Sequence, residues 1–95
     1  MYGTVARMKV KAGMEGKLVE ITRSYEGLKI PGHRMTYVYR LDSGNNEYIL
    51  TAVFDSREAY HKNANDPAQN ARYMQMRALL DADPEWHDGE IIYSA

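Results

Sequence analysis

Apolar residues recur along the chain with two different periods, and the changes of period divide it into elements. From Val5 to Lys11 the pattern alternates: Ala6, Met8 and Val10 point one way, and Val5, Arg7, Lys9 and Lys11 the other. A period of two with one apolar face predicts a strand laid against a core. Gly13 interrupts it, and from Met14 the period lengthens. Met14, Leu18, Ile21, Tyr25 and Leu28 fall on one helical stripe, separated by Glu15, Lys17, Glu20 and Arg23. This helix is expected to run to Ile30-Pro31-Gly32, where Pro31 disfavours helical geometry at the residue before it. His33 to Leu41 alternates again, with Met35, Tyr37, Tyr39 and Leu41 on one face and Thr36, Val38 and Arg40 on the other. The turn-forming cluster Asp42-Ser43-Gly44-Asn45-Asn46 separates it from a third strand, Tyr48 to Phe54, and the two form an antiparallel hairpin.

Asp55-Ser56-Arg57-Glu58 reads as a capping box, with the Asp55 carboxylate on free N–H groups and Glu58 reaching back. A short helix through Tyr60 and Lys62 follows. Asp66-Pro67-Ala68-Gln69 opens another helix with Pro67 at its first position, and Tyr73, Met76, Leu79 and Leu80 form its buried stripe. Asp83-Pro84 stops it, and Glu90 to Ser94 predicts a short last strand. The order strand, helix, strand, strand, broken helix, strand is the α+β, ferredoxin-like βαββαβ plan: a four-stranded antiparallel sheet with helices on one face. One domain over residues 1–95 is expected. The uncovered sheet face, expected to carry Val38, Ile49, Thr51 and Val53, is apolar enough to ask for a partner. A second copy related by a twofold axis would cover it, which predicts a homodimer.

Composition narrows the classes. Hydrophobic residues make up 44 % of the sequence and there is no cysteine, so an ordinary core forms without disulfides. The net charge is −1 with acids and bases interspersed, which leaves no basic stripe for nucleic acid. No apolar run approaches the ~20 residues of a membrane span. The start, Met1-Tyr2-Gly3-Thr4, lacks the charged and apolar regions of a secretion signal, so a cytoplasmic protein is expected.

Three stretches carry a family resemblance: Val53-Phe54-Asp55-Ser56-Arg57-Glu58-Ala59-Tyr60, Asn65-Asp66-Pro67, and Pro84-Glu85-Trp86-His87-Asp88-Gly89-Glu90. Over nearly its whole length the chain resembles the antibiotic biosynthesis monooxygenase-like group of dimeric α/β barrels. The resemblance implies a dimer with a pocket between helices and sheet in each subunit. It also implies oxygenase chemistry without flavin or metal, in which a phenol or anthrone supplies the electrons once deprotonated. Such a reaction needs a base or acceptor near the phenol, a dry cavity and aromatic walls. The haem degraders of the family use an asparagine on the first strand. Here that strand reads Thr4-Val5-Ala6-Arg7-Met8, which places haem degradation behind the other readings.

The candidate residues follow from that chemistry. His33, His61 and His87 lie far apart, with no metal-ligand spacing. His61 is a general base if it faces the cleft and a solvated helix residue if it faces out; a free imidazole titrates near ~6.5. His33 starts a strand at the mouth of the expected pocket, and His87 follows Trp86 in a turn-rich segment. The eight tyrosines are the most unusual feature of the composition. Tyr60 and Tyr73 would act with His61 at the reacting end, and Tyr37 and Tyr39 would hold the ring; packing is the alternative for all four. Arg72 and Arg7 suit an anion or enolate, or a surface ion pair. Met76 would line the pocket or pack. Trp86 reads as a plug at a barrel or dimer edge, and Asn63 and Asn65 as turn residues beside the helix break. No phosphate-binding loop and no serine or cysteine triad can be assigned. The expected function is a cofactor-independent monooxygenase acting on a small aromatic or quinol-type substrate. The alternative is a dimeric module that binds a small apolar ligand, or stabilises a partner, without turnover.

Overall fold

The computed structural model describes residues 1–95. The elements are β1 (Tyr2–Lys9), α1 (Glu15–Arg23), β2 (His33–Arg40), β3 (Glu47–Phe54), α2 (Arg57–Ala64), α3 (Pro67–Arg77) and β4 (Glu85–Glu90). The sheet runs in the order β2-β3-β1-β4 with every neighbouring pair antiparallel. This is the ferredoxin-like plan that the periodicities predict.

The strands form where alternation matches a half-buried surface. In β1, Tyr2, Thr4, Ala6 and Met8 are buried, while Val5, Arg7 and Lys9 are exposed. The β2–β3 hairpin turns through Gly44, Asn45 and Asn46, all three at positive φ (78°, 50° and 57°). Glycine and asparagine are the residues that enter this region most readily. At the other end of β2, Gly32 (φ 79°) accepts from Asp55 N at 2.8 Å, and a Cβ there would meet Ala59 Cβ at 2.6 Å. This close approach pins the start of β2 to the β3–α2 junction. A bulge follows: His33 pairs with Phe54 and Met35 with Val53, so Arg34 is the extra residue.

Four elements depart from the periodicity. Helix α3 ends at Arg77, ahead of the expected stop at Asp83-Pro84, so that Leu79 and Leu80 are buried from beyond the helix, Leu80 bridging to Val10. Helix α1 stops at Arg23, short of the expected Ile30. The Thr22 and Ser24 hydroxyls donate to the carbonyls of Leu18 (2.9 Å) and Ile21 (2.5 Å), and the chain loosens into i→i+3 bonds from Tyr25 N to Thr22 O and from Glu26 N to Arg23 O. Tyr25, Leu28 and Ile30 stay on the inner side, but from a loop. Strand β4 is Glu85–Glu90 rather than Glu90–Ser94. It is an edge strand with all six residues exposed, so it lacks an apolar alternation. The apolar signal instead comes from a tail in which Ile92 and Tyr93 are 94 % and 81 % exposed. Finally, α2 is capped by Ser56, whose Oγ accepts from Ala59 N at 3.1 Å, while Asp55 pairs with Arg34. The α3 cap is as expected, with Asp66 Oδ1 accepting from Ala68 N ahead of Pro67.

The core gathers Met8, Val10, Leu18, Tyr48, Met76, Leu79 and Leu80 at one end of the molecule. Each fully buried aliphatic side chain contributes about 1.5–3 kcal/mol. Only 13 of the 95 residues are buried, which leaves apolar surface uncovered in two places: a cavity between sheet and helices, and the outer sheet face. On the outer face stand Val5, Met35, Tyr37 and Tyr39, all exposed, beside Ile49, Thr51 and Val53. Val38, expected on this face, pairs with Leu50 and turns under the helices. No helix is long and apolar enough to cross a membrane.

Candidate functional site

The helix-side face of the sheet does not close against the helices along its whole length. Between them lies a cavity of about 1040 Å³ lined from every element, from Thr4 on β1 to Asp88 on β4. It is large enough for a ligand of several rings. Its two ends differ in chemistry.

At one end, aromatic rings converge. Helix α2 crosses β1 and β3, so its adjacent residues Tyr60 and His61 both reach the sheet. Tyr60 lies 5.3 Å from the Tyr2 ring and 5.6 Å from Phe54, and His61 lies 5.8 Å from Tyr2 and 5.3 Å from Tyr60. The β2 bulge turns His33 inward, edge-on to Phe54 at 5.4 Å, with Nε2 on Thr36 Oγ1 at 2.7 Å. The Tyr60 hydroxyl donates to Asp88 Oδ1 at 2.9 Å. Burial first, and then this bond to a carboxylate, push the Tyr60 hydroxyl up to about 12. Thr4, buried beneath, draws it slightly back, although Thr4 Oγ1 completes no hydrogen bond of its own. A phenol so held stays protonated at neutral pH. Tyr73 is raised likewise, by burial and then by Asp83. His61, by contrast, is held by ring contacts.

At the other end, Glu15 at the start of α1 accepts from Arg40 Nε and Nη2 at 2.6 and 2.7 Å and from the Tyr48 hydroxyl at 2.7 Å. The hydrogen bonds from Arg40 and Tyr48 hold the Glu15 carboxyl down at about 2, and the same carboxylate raises Tyr48. Between the two ends, Tyr73 and Trp86 face each other at 6.0 Å, and Met76 joins wall and core.

The structure thus brings together His61, Tyr60, Tyr73, His33 and Met76. It separates three other expected residues from them. Tyr37 and Tyr39 pair with Thr51 and Ile49 on the opposite sheet face, 59 % and 52 % exposed, because the helix-facing positions of β2 are Thr36, Val38 and Arg40. Arg72 lies outside the lining, stacked over the Tyr25 ring at 5.5 Å and bonded to Gln69 Oε1. Trp86, expected as a plug at a barrel or dimer edge, lines the cavity, and so does Asp88, which no expectation covers because β4 begins earlier than its apolar signal suggests; alternation outward from Glu85 points to both. Asn63, expected as a turn residue, also lines the cavity one turn beyond Tyr60. His87 faces outward and meets Glu85 at 3.0 Å. No three histidine or acidic side chains converge as a metal site would require.

Solved structures share this architecture at low identity. SnoaB, a cofactor-independent oxygenase from Streptomyces nogalater, superposes with a TM-score of 0.82 at 18 % identity, over 98 % of this chain and 94 % of its own. A candidate antibiotic biosynthesis monooxygenase from Chloroflexus aurantiacus matches with a TM-score of 0.79 at 21 % identity, over 99 % and 95 %. A conserved protein from Methanosarcina mazei matches at 0.80 and 16 % identity, over 93 % and 89 %. These likenesses establish the fold. No curated protein matches the sequence significantly. The antibiotic biosynthesis monooxygenase family's sequence pattern, however, matches residues 1–71, most of the chain, and the chain belongs to that family.

Proposed function

We propose that the protein is a cofactor-independent monooxygenase acting on a small hydroxylated aromatic or quinol-type compound. The observation that carries this reading is the aromatic end of the cavity, where His61 lies beside the Tyr60–Asp88 pair. His61 takes the proton that activates the ring. Tyr60 and Asp88 fix the ring's hydroxyl, and the rings of Phe54, Tyr73 and Trp86 wall the ring system. The activated substrate supplies the electrons. For an anthrone-type methylene, two C–H bonds break and one C=O forms, one oxygen atom of O2 enters the product, and the other leaves as water. Oxygen uptake by the purified protein tests this, without added cofactor, with a chelator present, and with a panel of anthrones, hydroquinones and phenols. The expected result is protein-dependent uptake with a quinone product. Saturable binding without uptake across the panel would instead favour a ligand-binding module.

The homodimer belongs to the same proposal. Tyr37, Tyr39, Met35 and Val5 form an exposed apolar face that a second sheet would cover. Light scattering is expected to give twice the chain mass at micromolar concentration, and Tyr37→Ser with Tyr39→Ser to shift it toward the monomer. A monomer for the unaltered protein would sink this part.

A further inference from the structure

The Tyr60–Asp88 pair is a hydrogen-bonding site of one polarity. An ionised carboxylate only accepts. The one proton of the Tyr60 hydroxyl is already given to Asp88 Oδ1, so the phenol oxygen also presents only acceptor capacity to the cavity. No arginine or lysine pairs with Asp88. No lysine lines the cavity, and of its two arginines Arg40 is held bidentate by Glu15 and Arg23 sits in the last turn of α1. A ligand group entering between Tyr60 and Asp88 therefore meets acceptors.

From this polarity we infer that the Tyr60–Asp88 pair is a specificity filter: it admits the hydroxyl form of an aromatic ligand and rejects the carbonyl form of the same skeleton. The inference rests on the cavity being the ligand site, as proposed above. A hydroquinone donates its O–H to Asp88 in a charge-assisted bond. A quinone of the same shape has only acceptors and would face acceptors. At the pair itself it could accept a hydrogen bond only if Tyr60 surrendered its bond to Asp88. A ring hydroxyl that gains a carboxylate acceptor is thereby favoured over an analogue that lacks the donor. A carboxylated ring is disfavoured too, by repulsion from Asp88.

Anaerobic calorimetry with matched pairs tests this: benzene-, naphthalene- and anthracene-1,4-diols, each against its quinone, with the unaltered protein, Asp88→Asn and Tyr60→Phe. Thermal melts establish that each variant is folded. The expected result is a Kd at least about tenfold tighter for diol than for quinone. Asp88→Asn should bring that ratio close to one, because an amide can donate to a carbonyl. Tyr60→Phe should keep the preference, since Asp88 remains. Equal affinity for both forms in the unaltered protein, an unchanged ratio in Asp88→Asn, or no binding of any diol would each overturn the filter. Oxygen uptake separates the two readings: a diol preference without uptake removes the oxygenase but keeps the filter, and uptake without a preference does the reverse.

Discussion

Two tyrosine–carboxylate pairs bracket the cavity, and they differ in what else the carboxylate holds. At the α1 end, Glu15 accepts from Tyr48 and from two nitrogens of Arg40, so both of its oxygens are occupied. At the α2 end, Asp88 accepts from Tyr60 alone, with no cation beside it. The first arrangement ties the start of α1 to β2 and β3 and leaves nothing for a ligand. The second keeps acceptor capacity in an aromatic pocket next to an imidazole. The same pairing of tyrosine with carboxylate therefore makes a strut at one end and leaves a carboxylate oxygen free at the other, and the guanidinium makes the difference. An exposed ion pair such as Glu15–Arg40 adds little stability in itself, so its use here lies in placement.

The widest separation between the two ends should appear in turnover. His61→Ala is expected to lower kcat/KM for a substrate that is turned over by about 10²-fold or more, while Arg40→Met leaves it near that of the unaltered protein. Equal losses in both variants would erase the distinction.

A second test moves the α1 wall without touching either pair. Leu18, fully buried, lies one turn beyond Glu15. Leu18→Ala is expected to cost about 2–5 kcal/mol in urea unfolding, and a cost below ~1 kcal/mol would mean that α1 is not anchored through this residue.

Acid separates the carboxylates more gently. The folded Glu15 carboxyl lies at about 2 against an ordinary 4.5, so its contribution is present above pH 4.5 and is lost as pH falls toward 2. The stability difference between the unaltered protein and Glu15→Gln should shrink through that window. A difference that holds constant across it would show that Glu15 does not carry the strut.

The smallest effect is at alkaline pH. Tyr60, raised to about 12 from an ordinary 10, contributes stability that is present below pH 10 and lost as pH rises through 12. Phenolate absorbance should show a late-titrating group of tyrosines that loses one member in Tyr60→Phe.

Much of the frame was legible because it follows from side-chain periodicity. The β1 and β3 faces rest on residues buried on one side, and the helix break rests on the Asp66 cap ahead of Pro67. The site was half legible. Tyr60 and His61 stand out from the short inventories of tyrosine and histidine and line the cavity, whereas Tyr37 and Tyr39, expected there, lie on the other sheet face. On β2 both faces carry apolar residues, so alternation cannot say which is inner; pairing with β3 decides it. Asp88 was missed for the opposite reason. An edge strand that lines an open cavity needs no apolar alternation, and β4 has none. The loop after α1 kept a helical stripe because Tyr25, Leu28 and Ile30 serve the cavity wall, and a wall selects apolar residues whatever backbone carries them.

The most direct test of the oxygenase account is turnover under ¹⁸O2 with chelator present, with product oxygen read by mass spectrometry and O2 consumption measured alongside. The account predicts one labelled oxygen in the new carbonyl, one O2 consumed per product and no hydrogen peroxide, all lost in His61→Ala. Unlabelled product with stoichiometric peroxide would contradict it, because the oxygen would then have served only as an electron acceptor.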